Sequence, residues 1–479
     1  MMVKETKDIV LAKEYKFGEE YKKYIVTTQR VTDEGRTSLK VTDTSIFGGH
    51  DVGITIQEPI AYFSGLCEDG LLSGLVPDGK TALEVLKDLC RRGFSERYPD
   101  ASADVYTRLT HEIEIIKQKG MVGGFLIIQD FIKYARSKNL MISPGSGALP
   151  GCLVAYCLGI TRVDPIEESL SFERYLNIER ETPSYCIRID VQRGGRSLIF
   201  EYLSEKYGSG MPGLLKMLDI SIKECVELSI IKDAIDNNIS SSKGRRIEIA
   251  GIDKNDPAVF ELLASDETEG ILYFDRYDPH TYTTWCRPDD NGNWHEYHVP
   301  LVTEDAVLFE TIWPKTMDEL MAAISLDRCL PEEHVGKYLH NIKNQQLITY
   351  ECSELEPILH TTYGCVIYQE QVMLILQDIG GFSPEKSDLC RRLLSKRHHL
   401  AVEDYRVDFV NGAKEKTGIV APVANAIYEV LWDEARYCFN KSHIASFSLM
   451  IYEMAWLKVY FRSEFMEAVE KYRGLKSEI

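Results

Sequence analysis

Residues 123–180 read GGFLIIQDFIKYARSKNLMISPGSGALPGCLVAYCLGITRVDPIEESLSFERYLNIER. Phe125 to Ala135 carries apolar residues at helical spacing and is closed by Ser137-Lys138-Asn139. The loop Ser143-Pro-Gly-Ser-Gly-Ala-Leu-Pro-Gly-Cys152 interrupts that pattern. Leu153-Val154-Ala155-Tyr156-Cys157-Leu158 follows as a buried helix. Shortly beyond, Ile187-Arg188-Ile189-Asp190-Val191 alternates and is β-branched, which predicts a strand with Arg188 and Asp190 on one face. Helix, glycine loop, helix and strand in this order mark a globular protein that mixes both element types.

Upstream, Ala82, Leu83, Leu86, Leu89, Cys90 and Phe94 recur at helical spacing, and Leu109, Ile113 and Ile116 repeat it. Residues 1–76 are mixed and glycine-punctuated (GGHDVG at 48–53, then Gly65, Gly70 and Gly74), which predicts short strands and turns. Downstream, residues 236–265 read as a polar connector followed by a short helix. Residues 272–300 hold seven aromatic rings, and Asn291-Gly292 between aromatic flanks predicts a hairpin. From about Pro314 to Lys471 the pattern is helical almost throughout.

The chain has 479 residues, 55 Lys+Arg against 74 Asp+Glu and a formal charge of −19. At roughly 150 residues per domain, that length suggests about three domains. An apolar fraction of 44% with 27% charged residues is that of a soluble globular protein and excludes wholesale disorder. The greasiest stretch, Ile444 to Leu457, is broken by Ser446, Ser448 and Glu453, short of the ~18 apolar residues of a membrane span. No membrane partner is expected. MMVKETKDIVLAKEY at the N-terminus lacks an apolar signal region, so the expected compartment is the cytoplasm. Twelve scattered cysteines, the closest pair being Cys152 and Cys157, form no CxxC; buried, reduced thiols are the reading. The acidic balance excludes a protein that coats nucleic acid non-specifically, although a local basic groove remains open.

Four constellations can carry chemistry. Gly145, Gly147 and Gly151, before the helix at Leu153, can let backbone N–H groups approach a phosphate; the same glycines also suit an ordinary turn. Asp190 shares its strand face with Arg188, a pairing that suits a salt bridge better than a metal, with Asp219 as a possible further acid or a solvated loop residue. Asp388 to His399, DLCRRLLSKRHH, gathers Arg391, Arg392, Lys396 and Arg397, able to hold phosphates or to form a solvated basic face. Phe439-Asn-Lys-Ser-His443 opens an amphipathic run and reads as a helix cap. His295 and His298 lack the spacing of a metalloprotease pair and read as hairpin residues.

Residues 77–205 and 264–470 resemble the palm and fingers of the bacterial C-family DNA polymerase α subunit (the DNA polymerase III type). The run quoted above carries the resemblance, with ELEPILHTTYGCVIYQEQVMLILQDIGGFSPEKSDLCRRLLSKRHH and FNKSHIASFSLMIYEMAWLKVYFRSEFMEAV in the family's order. The resemblance implies an α+β fold: a reduced nucleotidyltransferase-like palm with a mixed β-sheet, and a mostly α-helical fingers domain. The division it implies is a β-rich segment at 1–76, a reduced palm at 77–235, a connector and hairpin insertion at 236–313, and fingers at 314–479. Family chemistry joins deoxynucleotides to a primer–template through two Mg²⁺ ions held by aspartates. Gly145, Gly147, Gly151, Gln369, Arg391, Arg392, Lys396, Lys441 and His443 fall on positions that meet nucleotide phosphates and template.

The departures are as specific. The family's palm strand reads Pro-Asp-x-Asp-x-Asp-Phe, its last two acids being metal ligands; here the stretch is Tyr185-Cys-Ile-Arg188-Ile-Asp190-Val191. Asp190 is the surviving candidate ligand. The loop's arginine and two serines are Ser146, Ala148 and Cys152, and the third aspartate's place is Leu218, with Asp219 one step late. The family's Arg-Pro-Gly-Pro turn is Arg328-Cys-Leu-Pro331, and residues 1–76 are too short for its N-terminal phosphoesterase domain. The resemblance thus implies a truncated, divergent member, catalytically degenerate and binding nucleotide or DNA. The alternatives are a working two-metal polymerase that holds Mg²⁺ with Asp190, Asp219 and Glu201 or a displaced acid, and a protein-interaction module. Primer–template, deoxynucleoside triphosphates and other replication proteins are the implied partners.

Overall fold

The structure is a computed structural model that describes residues 74–180, 187–208, 211, 215, 219–240, 247–265, 267–274, 312–329 and 331–473. It also describes the backbone of the strands within 6–44 and 282–300. Three strands, β1 (Thr6–Phe17), β2 (Glu20–Asp33) and β3 (Arg36–Thr44), form an antiparallel meander. They are longer than the short strands expected from glycine punctuation. The GGHDVG stretch, Gly65 and Gly70 lie outside the described residues.

Next come α1 (Ala82–Arg97), α2 (Ala103–Gln118) and α3 (Val122–Ser137). Thr81 starts α1 with a capping box to Glu84, which satisfies two donors the first turn leaves free. After the glycine loop, α4 (Leu153–Cys157) and α5 (Phe172–Tyr175) precede β4 (Ile187–Gln192), α6 (Gly195–Tyr207) and β5 (Ile220–Cys225). The expected mixed sheet is present only in minimal form: β4 pairs parallel with β5, and Ile142 adds one antiparallel bridge to Val191. Leu86, Phe125, Phe131, Leu153, Ile189 and Ile222 share the core on these elements.

A second core joins distant segments. Helix α7 (Val226–Ser240) runs straight through Asp236-Asn237-Asn238, where the composition predicts a connector. Ile231 and Ala234 are fully buried in a core shared with α8 (Pro257–Leu263), and even Asn238 is buried. The hairpin β6 (Tyr282–Pro288) and β7 (Trp294–Pro300) pairs Pro288 with Trp294; its Asn291-Gly292 turn lies outside the described residues. Helices α9 (Met317–Cys329) and α10 (Glu332–Lys343) follow. A third core, around Leu376, Phe409, Tyr428 and Leu431, is built by α11 (Glu356–Leu359), α12 (Gln369–Asp378), α13 (Pro384–Ser395), α14 (His399–Thr417) and α15 (Ala421–Glu434).

The last two helices are α16 (Lys441–Tyr460) and α17 (Arg462–Tyr472). Almost every residue of α16 from Ile444 to Lys458 is buried, so this apolar stretch is a central strut, apolar all round because it is enclosed all round. Its buried Glu453 accepts from Arg162 Nη2 at 2.9 Å, which ties the strut to the segment after α4. The glycine loop lies between α16 and β4.

Candidate functional site

Asp190 projects from β4 into the space between the glycine loop and α16. It is buried, and Arg188 Nε donates to its Oδ1 at 2.6 Å. Burial pushes the carboxyl above the usual aspartate range, and the neighbouring Arg188, Ser146 and Lys223 only partly offset it. Residue Lys223 of β5 stands opposite Asp190 in the parallel register, so both neighbours on this face are cations. Arg188 Nη2 is buried with no hydrogen-bond partner.

Asp219 is not part of this site. It is exposed, holds a left-handed φ of 55° just before β5, and its carbonyl accepts from Ile187 N–H at 3.0 Å. Four residues separate it from Lys223, about 13 Å along a strand. Two Mg²⁺ ions ~3.5–4 Å apart need carboxylates converging on one point. One aspartate flanked by Arg188 and Lys223, with the other candidate a strand-length away, does not fit that pair.

Packing constrains two glycines of the loop and backbone conformation the third. A Cβ at Gly145 would sit 2.6 Å from Pro150 Cγ and 2.8 Å from Ser446 Oγ; one at Gly151 would meet the Ser171 carbonyl oxygen at 2.6 Å. Gly147 takes a φ of +61°, where glycine alone is unstrained. The cavity bounded by this loop, Asp190, His443 and α16 is about 20 Å³, room for about one water. His443 is partly buried beside Phe439 and Phe447. Burial, with Arg328 and Arg188 nearby, pushes its ring down to about 4, so it is neutral at physiological pH.

A helix N-terminus attracts anions, but at α16 the protein supplies its own. Buried Glu370 accepts from Lys441 N–H at 2.8 Å and from Ser442 N–H at 3.3 Å, and the Asn440 side chain caps Ser442. Lys441 Nζ turns away and donates to the Glu168 carbonyl at 2.8 Å. Gln371 is fully used in holding Ile367, Tyr368 and Thr362.

Four arginines gather where α5 and the segment after it meet α12 and α13. Arg391 Nη2 donates to Asp388 Oδ1 at 2.9 Å, and Arg180 Nη2 donates to Oδ2 at 2.7 Å. Arg174 Nε donates to Gln369 Oε1 at 2.6 Å. Burial and the nearby Arg391 pull the Arg174 guanidinium down to about 10, and burial with Arg180 lowers Arg392 as well. Arg391 Nε is buried without a partner. Four guanidiniums therefore crowd two acids, Asp388 and Glu370, an arrangement that favours a further anion. Lys396 is exposed at the C-terminal end of α13, and Arg397 follows with a left-handed φ of 52°, so the basic run is not one helical face.

The structure thus brings Gln369, Arg391 and Arg392 together, joins Lys441 to them only through its backbone N–H to Glu370, and leaves Lys396 exposed at the end of α13. Sequence reasoning missed Arg174 and Arg180, although both lie in SFERYLNIER, and missed Lys223. The signal for the two arginines was their dense spacing within a motif, and their role depends on contacts 195 and 208 residues away; that of Lys223 depends on the β4–β5 register.

Two stretches of the chain match families of known proteins. Residues 84–221 match the family described as bacterial DNA polymerase III alpha NTPase domain, and residues 306–417 match the bacterial DNA polymerase III alpha subunit finger domain. Similar proteins include the DNA polymerase III subunit alpha of Staphylococcus epidermidis, 26% identical over 88% of this chain and 48% of the relative. That of Halalkalibacterium halodurans is 28% identical over 82% and 43%, and that of Bacillus subtilis 25% over 86% and 45%. The chain therefore spans less than half the length of these curated relatives.

Proposed function

The chain belongs to the bacterial DNA polymerase III α-subunit family, and from that premise we propose that it is a catalytically degenerate member that binds nucleotide or DNA phosphates. The observation that carries this reading is the 2.6 Å contact from Arg188 Nε to Asp190 Oδ1. A guanidinium occupies the position where two-metal transfer needs a second carboxylate, and its charge opposes a divalent ion at the remaining one. The small space beside Asp190, with room for about one water between the glycine loop and His443, supports the same reading. Family substrates, a DNA primer–template and deoxynucleotides, are then ligands rather than reactants, held by Arg174 and Arg392 beside the buried Arg391–Asp388 pair. Divalent metal belongs to the family's reaction, and no step through it is assigned to these residues. No helix among the described residues is long and apolar enough to cross a membrane. A cytoplasmic, replication-associated setting is part of the proposal.

Primer extension on a primed template, with Mg²⁺ and with Mn²⁺, tests it beside an Asp190→Ala control. The expected result is no extension by either protein. Binding of the primed template should persist, weaken linearly in log–log plots against salt, and fall in Arg392→Ala. Extension that disappears in the control would reinstate the two-metal enzyme. No extension together with no binding at low salt would leave a protein-interaction module, the reading that the charge of −19 accommodates.

A further inference from the structure

On the same junction that carries the arginine cluster, three side chains from three elements turn toward one point. His111 comes from α2, Glu173 from α5 and Glu385 from the first turn of α13. Among the described residues this is the grouping of histidine and carboxylate ligand atoms, all within 4.8 Å of one another, that has the composition of a metal site. We propose that His111, Glu173 and Glu385 bind one divalent transition-metal ion of the zinc type, clamping α2 and α5 to α13.

The spacing is the first argument. Tetrahedral Zn²⁺ with bonds of about 2.0–2.1 Å places neighbouring ligand atoms about 3.4 Å apart. His111 Nε2 lies 3.6 Å from Glu173 Oε1 and 3.9 Å from Glu385 Oε1, so these two edges need to close by only a few tenths of an ångström. Orientation is the second. Ser171 Oγ donates to Glu173 Oε2 at 3.0 Å, which leaves Oε1 facing the histidine and supplies the outer hydrogen bond that ligating carboxylates use. The ligand set is the third: an imidazole with two carboxylates suits zinc, whereas Mg²⁺ prefers an all-oxygen octahedron. His111 is 45% exposed, so the fourth coordination position opens to water. The hydrogen bond to Glu173 raises the His111 ring above its usual range, so a proton and a divalent cation compete for the same place. A divalent cation there would meet one neutral imidazole and two carboxylates.

The experiment is calorimetric titration of the full, chelator-treated chain with ZnCl₂, and separately with CoCl₂ followed by visible absorption. One equivalent should bind, be lost in His111→Ala, and weaken at least tenfold in Glu385→Gln. Ser171→Ala should weaken binding about tenfold, and equimolar Mg²⁺ should not compete. His111 and Glu385 lie near the surface, so the metal-free variants should melt like the metal-free parent; a variant that does not is replaced by His111→Gln. Absence of zinc uptake, or uptake unchanged in every variant, would overturn the proposal and leave an ion-pair triad built on protonated His111.

Discussion

Asp388 collects donors from Arg180, Arg391 and Asn177 while wholly buried. Burial pushes its carboxyl up, yet Arg391 and Arg180 together outweigh it and hold the group below the usual aspartate range. A depressed carboxylate stabilises the fold above its unfolded pKa, near ~4, and that contribution drains as pH falls through the folded value. Asp388→Ala should therefore cost about 3–5 kcal/mol at neutral pH, because two arginines remain buried without their acid. Urea unfolding should show this loss shrinking in acid, and a loss independent of pH would speak against the ion pair as its source. At this scale the Arg188–Asp190 pair was legible, since strand periodicity alone puts positions two apart on one face. Asp219 was not, because a parallel register fixes its distance from Asp190. Nor was Glu370's role legible, because the helix it caps begins seventy residues later.

The glycine loop between β4 and α16 reads as either a phosphate cradle or a turn from sequence, and only its neighbours decide. Gly151 faces the Ser171 backbone carbonyl, which cannot swing aside and lies 2.6 Å from where an added Cβ would sit. Gly151→Ala should destabilise by about 1–3 kcal/mol in thermal melts, with template affinity of the folded fraction unchanged. A variant of parental stability that loses affinity would restore the cradle. Amphipathic helices with a complete apolar stripe, such as α1 and α3, were legible because burial follows period. Helix α7 was not: its last turns are polar in sequence, and Asn238 is buried only because the surrounding chain encloses it. The β6–β7 pairing was legible from its Asn-Gly turn and aromatic flanks, whereas the length of β1–β3 was hidden by glycines that fall beyond them.

At the scale of the molecule, the resemblance to palm and fingers was legible in long ordered motifs, while the sharing of cores between distant segments was not. Phe465 of α17 is fully buried in the core that also holds Ile231 of α7, and Lys471 Nζ reaches Asp233 Oδ2 across 238 residues of sequence. Elements that share a core open together. Phe465→Ala should therefore speed amide exchange in residues 226–240 and leave residues 122–137 protected, as hydrogen-exchange mass spectrometry would read. Equal acceleration in both segments would mean one undivided cooperative unit.

That long-range pairing also sets a timetable for the nascent chain. The elements from α1 to β5 have their core partners within their own stretch and can consolidate as they leave the ribosome. Helix α7 emerges next but must wait for α17, and at 5–20 residues per second that interval is on the order of 10 s or more. During it, Val226, Leu228 and Ile231 are without their final cover, so the step most open to chaperone capture lies between the appearance of α7 and that of α17.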